Sequence, residues 1–349
     1  MKARYTFLVL VIFICAVSPV MAKNSANTDI AMKFVQRISE IQEFNEWKNA
    51  TIGKILELYD LDESVNAYIL ELTKDGKYIG YIVVSAKRTN YPILEFSKGK
   101  SPTMIAKETG MEPDRHYYLG GTIYLFKKGA KCSDIFGREV NLSALKAGSK
   151  DILKNEEVKR RLERRALEAE TIWKAYESSA NQIITYYEIM IKGVPALLWK
   201  RGCTPTASAM VLGYWDQKGY PNLPNDYQNK LIDELADAMG TWNNGYTSQW
   251  QVSGGINKVC NKYGYGNWAS DVWWVTWDTV LSEINSYRPF VLTFVLHNEY
   301  TWHSVTVIGY LIDSSNNKFI SLYNTWDTSV HYIAFGSWFG ANAHKVIPR

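Results

Sequence analysis

The chain has 349 residues, 46% apolar and 21% charged, with a formal net charge of +4. That is long enough for about two domains with real cores and too apolar for a disordered tail. Without Lys2 and Arg4 the balance is 37 basic against 35 acidic residues, and there is no basic stripe, which excludes electrostatic capture of nucleic acid; the one long apolar run is N-terminal, which excludes a polytopic membrane protein.

Lys2 and Arg4 precede an uncharged stretch from Phe7 to Val17, broken by Ser18 and Pro19 and followed by Val20-Met21-Ala22. This predicts a signal peptide over residues 1–22, cut before Lys23, and a secreted, extracellular mature protein with no membrane attachment. Ile14 before Cys15 argues against a lipoprotein. Cys15 leaves with the leader, so Cys132, Cys203 and Cys260 remain, an odd count that leaves at least one thiol free. A Cys132–Cys260 bridge and two separately buried thiols both stay open.

The next segment, Asn27 to Ile41, carries Ile30, Phe34, Ile38 and Ile41 on a helical stripe widened by Ala31 and Val35. Strand-like runs follow at Val65–Leu72, Tyr78–Ser85, Pro92–Phe96 and Gly121–Phe126, the first two joined by the turn signal Lys74-Asp75-Gly76-Lys77. One helix and an antiparallel sheet predict a small α+β domain over residues 23–150. Residues 151–181 read as a helical linker with interleaved charges, whose stretch from Lys159 to Arg165 also offers sites for proteolytic processing. Composition then shifts, because 11 of the 13 tryptophans lie from Trp199 onward. A second domain, 182–349, holds predicted helices at Pro205–Gln217 and Tyr227–Ala238. Predicted strands follow at Pro289–Leu296, His303–Leu311 and Lys318–Tyr323.

Chemistry concentrates in three places. Gly202-Cys203-Thr204-Pro205 opens a helix, since Pro205 suits a first turn. Helix dipoles there favour a thiolate on Cys203, and Gly202 permits close substrate approach. His303 heads the β-branched run to Gly309-Tyr310, held rigidly enough for proton transfer. Asn324 ends the following strand, where an amide can orient an imidazole, and Trp326 can shield that contact. Taken singly, these are equally a buried cysteine, a sheet-edge histidine and a turn residue. Asp327 is an alternative orienter, and His297 and His331 are weaker bases because neither opens a long apolar strand. No C-x-x-C or H-E-x-x-H spacing calls for a metal, and no cofactor motif is present.

In the order Cys203, His303, Asn324, the chain resembles the papain-like cysteine peptidases. It is most similar to the branch related to bacteriocin-leader-processing peptidases, family thirty-nine of the cysteine class. Val194-Pro195, Gly202-Cys203-Thr204-Pro205-Thr206-Ala207, His303 to Tyr310, and Asn324 carry the likeness, which covers about Ile183 to Trp338. Phe44-Asn45-Glu46-Trp47-Lys48, Leu58-Tyr59-Asp60, Ala67-Tyr68 and Gly80 to Ala86 also resemble the propeptides of streptopain-like secreted peptidases, over about Asn27 to Pro102.

The resemblance implies an α+β papain-like fold, with a Cys-bearing helix packed on an antiparallel sheet bearing His and Asn. It implies a precursor hydrolysing a peptide or protein substrate through Cys203, His303 and Asn324, with the N-terminal domain as intramolecular inhibitor. Thr204 departs from the family's usual Gly. Residues Ala196 to Arg201 also lack the Gln that helps bind the oxyanion, leaving the Cys203 backbone N–H and an N–H of Trp199 as candidate donors. Loss of one such donor costs about 10²–10³ in rate. Two alternatives therefore stand: a weak or inactive extracellular binding protein on a peptidase fold, and a transglutaminase-like acyltransferase using the same residues.

Overall fold

A computed structural model describes residues 19–178, 186–295 and 301–349. Residues 1–18 of the expected leader, the junction near Gln182, and His297 lie outside them. Helix α1 (Pro19–Ile38) runs through the expected cleavage point and buries Ile30, Phe34 and Ile38, the residues of the helical stripe. It stops before Ile41, where a tight helical turn, Gln42–Trp47, tucks Phe44 and Trp47 into the same core.

Strands β1 (Thr51–Tyr59), β2 (Val65–Lys74), β3 (Lys77–Ser85) and β4 (Ile93–Ser97) form an antiparallel meander. Asp75 and Gly76 both take positive φ, as the expected two-residue turn demands. β1 gives no sequence signal because it is mostly exposed and has no buried alternation. Next come α2 (Pro102–Glu108), β5 (Arg115–Tyr118), β6 (Tyr124–Lys128) and β7 (Lys131–Asp134). The strand expected at Gly121 starts three residues later, because Gly120, Gly121 and Thr122 all have positive φ and make the turn. Helices α3 (Leu142–Ile152) and α4 (Glu156–Ser178) complete this half.

The second half contains β8 (Tyr186–Met190), α5 (Cys203–Gln217), α6 (Ile232–Ala238), α7 (Val252–Lys262), β9 (Ala269–Val272) and α8 (Trp277–Asn285). It closes with β10 (Phe290–Val295), β11 (Thr301–Asp313), β12 (Lys318–Tyr323), β13 (His331–Ala334) and β14 (Gly340–Val346). The helix expected from Tyr227 divides into a wide turn, Tyr227–Leu231, and α6.

Strands of both halves join one sheet in the order β7-β6-β5-β1-β2-β3-β4-β13-β12-β11-β10-β14-β9, with β8 added to β11. The seam is β4 on β13, pairing Ser97 with His331, Phe96 with Tyr332 and Glu95 with Ile333. Phe96 stacks on Tyr332 at 4.7 Å and 5°. One hydrophobic core therefore draws Phe34, Phe44 and Phe96 together with Phe319 and Tyr332 across the seam. The architecture is mixed α+β around a large sheet. Among the described residues, no helix is long and apolar enough to cross a membrane.

Candidate active site

Helix α5 starts at Cys203. Gly202 caps it, and a Cβ at Gly202 would lie 2.8 Å from the Gly245 carbonyl oxygen, so only glycine fits. The Thr206 hydroxyl donates to the Gly202 carbonyl at 2.7 Å, and the Lys200 N–H donates to that hydroxyl at 3.2 Å, which fixes the bend entering the helix. Cys203 is only 1% exposed.

His303 lies near the start of β11, opposite Phe294, where the β10–β11 register shifts. Such irregularities re-aim side chains beside functional sites. The Cys203 helix and the His303 strand are clamped one residue beyond each. Thr204 Oγ1 and Ser304 Oγ are 2.8 Å apart, and Thr306 Oγ1 donates to the Ala207 carbonyl at 2.9 Å.

Asn324 follows β12. Its side-chain oxygen accepts the Trp326 N–H at 3.0 Å and the Asp327 N–H at 3.4 Å, an Asx turn. The amide oxygen expected to hold the imidazole is thus engaged locally, and the main-chain carbonyl of Asn324 acts on His303 instead, favouring its protonated form. Trp326 stacks on the His303 ring at 5.7 Å and 27°. Asp327 is not beside His303: its Oδ1 is 2.9 Å from Nε2 of His331. His331 also reaches the Tyr81 hydroxyl at 3.0 Å, and Tyr81 and Tyr124 both donate to the buried Glu95. This network crosses the β4–β13 seam and occupies His331 structurally.

The main-chain N–H of Trp199 donates to the Thr325 carbonyl at 2.8 Å, so it is not available as an oxyanion donor. The indole N–H of Trp199 is buried and has no partner among the described residues, as are His303 Nε2 and Asn324 Nδ2. Cys132 and Cys260 are unbonded, and burial pushes their thiols up to about 11 and about 12, which marks them as inert.

The sequence reading missed a loop from the N-terminal half. After β7, Asp134 accepts the N–H groups of Phe136 and Arg138 and pairs with the Arg138 guanidinium at 2.5 Å; Gly137 turns the chain at positive φ. Phe136 stacks on Trp199 at 5.3 Å and lies 5.7 Å from His303. The Arg138 guanidinium sits 4.2 Å above the Tyr246 ring. Burial, with the Arg138 charge second, lowers the His303 pKa from 6.5 to about 3. In this closed arrangement His303 is neutral at physiological pH. The Asp-x-x-Gly-Arg pattern signals a turn, but nothing local says where the turn docks.

Among the described residues, no cluster of three or more His, Cys, Asp or Glu side chains is arranged for a metal. No curated protein matches the chain. Residues 178–335, which include Cys203, His303 and Asn324, match the model of the Peptidase_C39 like family.

Proposed function

We propose that the protein is a secreted cysteine peptidase made as a latent precursor, with residues 1–22 as its leader and residues 23–150 as its inhibitor. One observation carries the reading: the family-matched segment clamps the helix start at Cys203 to the strand bearing His303, under Trp326, while Phe136 and Arg138 cover the pair. In the opened enzyme, the Cys203 thiolate attacks a peptide carbonyl. His303 takes the thiol proton and passes it to the leaving amine. Water, deprotonated by His303, then releases the acyl group from sulfur. Asn324 and Trp326 fix the ring. The indole N–H of Trp199 and the Cys203 backbone N–H face the developing oxyanion, in place of the missing Gln.

Activation goes through α4. Leu162 and Arg165 line both of two cavities, of about 590 and 530 Å³, beneath the middle of that helix. Lys159, Arg160 and Arg164 on it are already exposed, so a protease reaches this stretch once the helix opens locally. The test compares residues 23–349 with a Cys203→Ser variant, by intact mass over time, with a thiol-directed epoxide in parallel. Wild-type-only loss of the N-terminal half and a single adduct on Cys203 support the proposal. If trimming by an added protease still leaves Cys203 unreactive, the protein is a binding module on this fold.

A further inference from the structure

Outside the Cys203–His303 pair, a line of buried polar side chains crosses the α5 face of the sheet. It begins at Asp271 on β9, whose Oδ1 is 2.6 Å from Nδ1 of His344 on β14. His344 Nε2 is 3.1 Å from the Thr293 hydroxyl on β10. Thr293 Oγ1 is 3.2 Å from Ser304 Oγ on β11, and Ser304 Oγ is 2.8 Å from Thr204 Oγ1 on α5. His344, Thr293, Ser304 and Thr204 are all fully buried. The line therefore ends on the residue after the nucleophile, and passes through the residue after the candidate base.

We propose that Asp271, His344, Thr293, Ser304 and Thr204 form a hydrogen-bonded positioning relay that sets the Cys203–His303 geometry from the far edge of the sheet. This rests on the peptidase reading of Cys203 and His303. The Asp271 carboxylate accepts Nδ1–H of His344 and fixes the ring; beyond it each hydroxyl donates to one neighbour and accepts from the other, so Thr293, Ser304 and Thr204 turn together. Burial alone would raise the Asp271 pKa, but its bonds to His344 and Ser253 outweigh that and hold it below the ordinary value, so the anchor stays ionised. Other groups facing His344 are few. Ser253 on α7 lies 3.5 Å from Nδ1 and donates to Asp271 at 2.5 Å. Asn342, on the same strand, is taken by Gln249. The relay also gives Thr204, which replaces the family's usual Gly, a purpose: a glycine has no hydroxyl with which to close the line.

The test uses the full-length chain with Phe136→Gly and Arg138→Ala, to uncover the site, and follows iodoacetamide labelling of each cysteine against pH. Buried Cys132 and Cys260 report general loosening. Thr204→Val and His344→Gln are each expected to slow Cys203 labelling at pH 7 by about tenfold and to move its pH midpoint upward, with Cys132 unchanged. Thr204→Ser is expected to keep the parent profile. An unchanged Cys203 profile in both variants, or parallel changes at all three cysteines, overturns the relay. If the parent's own Cys203 profile matches that of Cys132, there is no activated pair to position, and the peptidase reading fails with it.

Discussion

Protonation of His303 should displace the Phe136–Arg138 turn. His303 is held neutral with a pKa of about 3 in the closed site, whereas a hydrated imidazole titrates near 6.5. The closed state therefore binds fewer protons than the open one. Its stability is complete above about pH 6.5 and is lost as pH falls towards 3. The full span of the shift is worth about 4–5 kcal/mol, because each pH unit contributes about 1.4 kcal/mol. Between pH 7 and 4.5 the open population rises by up to about a hundredfold. The Phe136 and Arg138 amides, which donate to Asp134, report the turn directly. Their hydrogen-exchange protection, corrected for intrinsic chemistry, should fall nearly tenfold per unit below pH 6 and stay flat above pH 7. A His303→Gln variant should remove the slope. Protection that is constant from pH 7 to 4.5, or the same slope in His303→Gln, would refute the reasoning.

Other perturbations give separate checks. Phe136→Gly removes the stacking on Trp199 and the contact with His303, worth about 1–3 kcal/mol together, so labelling of Cys203 should speed up by about 5- to 150-fold. Arg138→Ala should also speed labelling, and should raise the His303 titration midpoint seen by NMR, since the guanidinium lowers it. Glu95→Ala strands the Tyr81 and Tyr124 hydroxyls and leaves His331 without the outer part of its network, so urea unfolding should reveal a loss of about 3–5 kcal/mol; a loss below 1 kcal/mol would mean the seam does not depend on that carboxyl. Gly202→Ala drives a Cβ against the Gly245 carbonyl and should destabilise by about 1–3 kcal/mol while displacing Cys203.

Much of the site was legible because its chemistry is local. A proline two residues past Cys203 announces a helix start, and a β-branched run after His303 announces a strand. β2, β3, α5 and β12 lie within a couple of residues of their expected bounds, whereas α1 starts at Pro19, well before the expected Asn27, and ends at Ile38 rather than Ile41. What escaped was non-local. β13 and β14 are short and flanked by Gly, Ser and Trp, and their strand character comes from neighbours they meet only in the fold. His344 is a lone histidine in a weak strand, and only the sheet brings it to Asp271, 73 residues away. The Phe136 loop has a readable turn but an unreadable destination. Asn324 was legible as a position and not as a geometry, because an Asx turn competes for the same amide oxygen.

Under the precursor reading proposed above, the loop and the seam resist opening in different ways. The two halves share a sheet and a core, so separating them exposes Phe96, Phe319 and Tyr332 and strips Glu95 and His331 of their partners. That cost resembles opening a domain core rather than lifting off a loosely bound inhibitor. The Asp134–Arg138 turn is different: its carboxylate takes its own two amides and the Arg138 Nε–H rather than groups of the second half, so its departure strands none of their polar groups, and once in water its amides exchange freely. What resists its departure is the packing of Phe136 and the burial of Arg138 over Tyr246. The low-energy route to an open site is thus displacement of the turn, favoured by protonation of His303, with the seam intact.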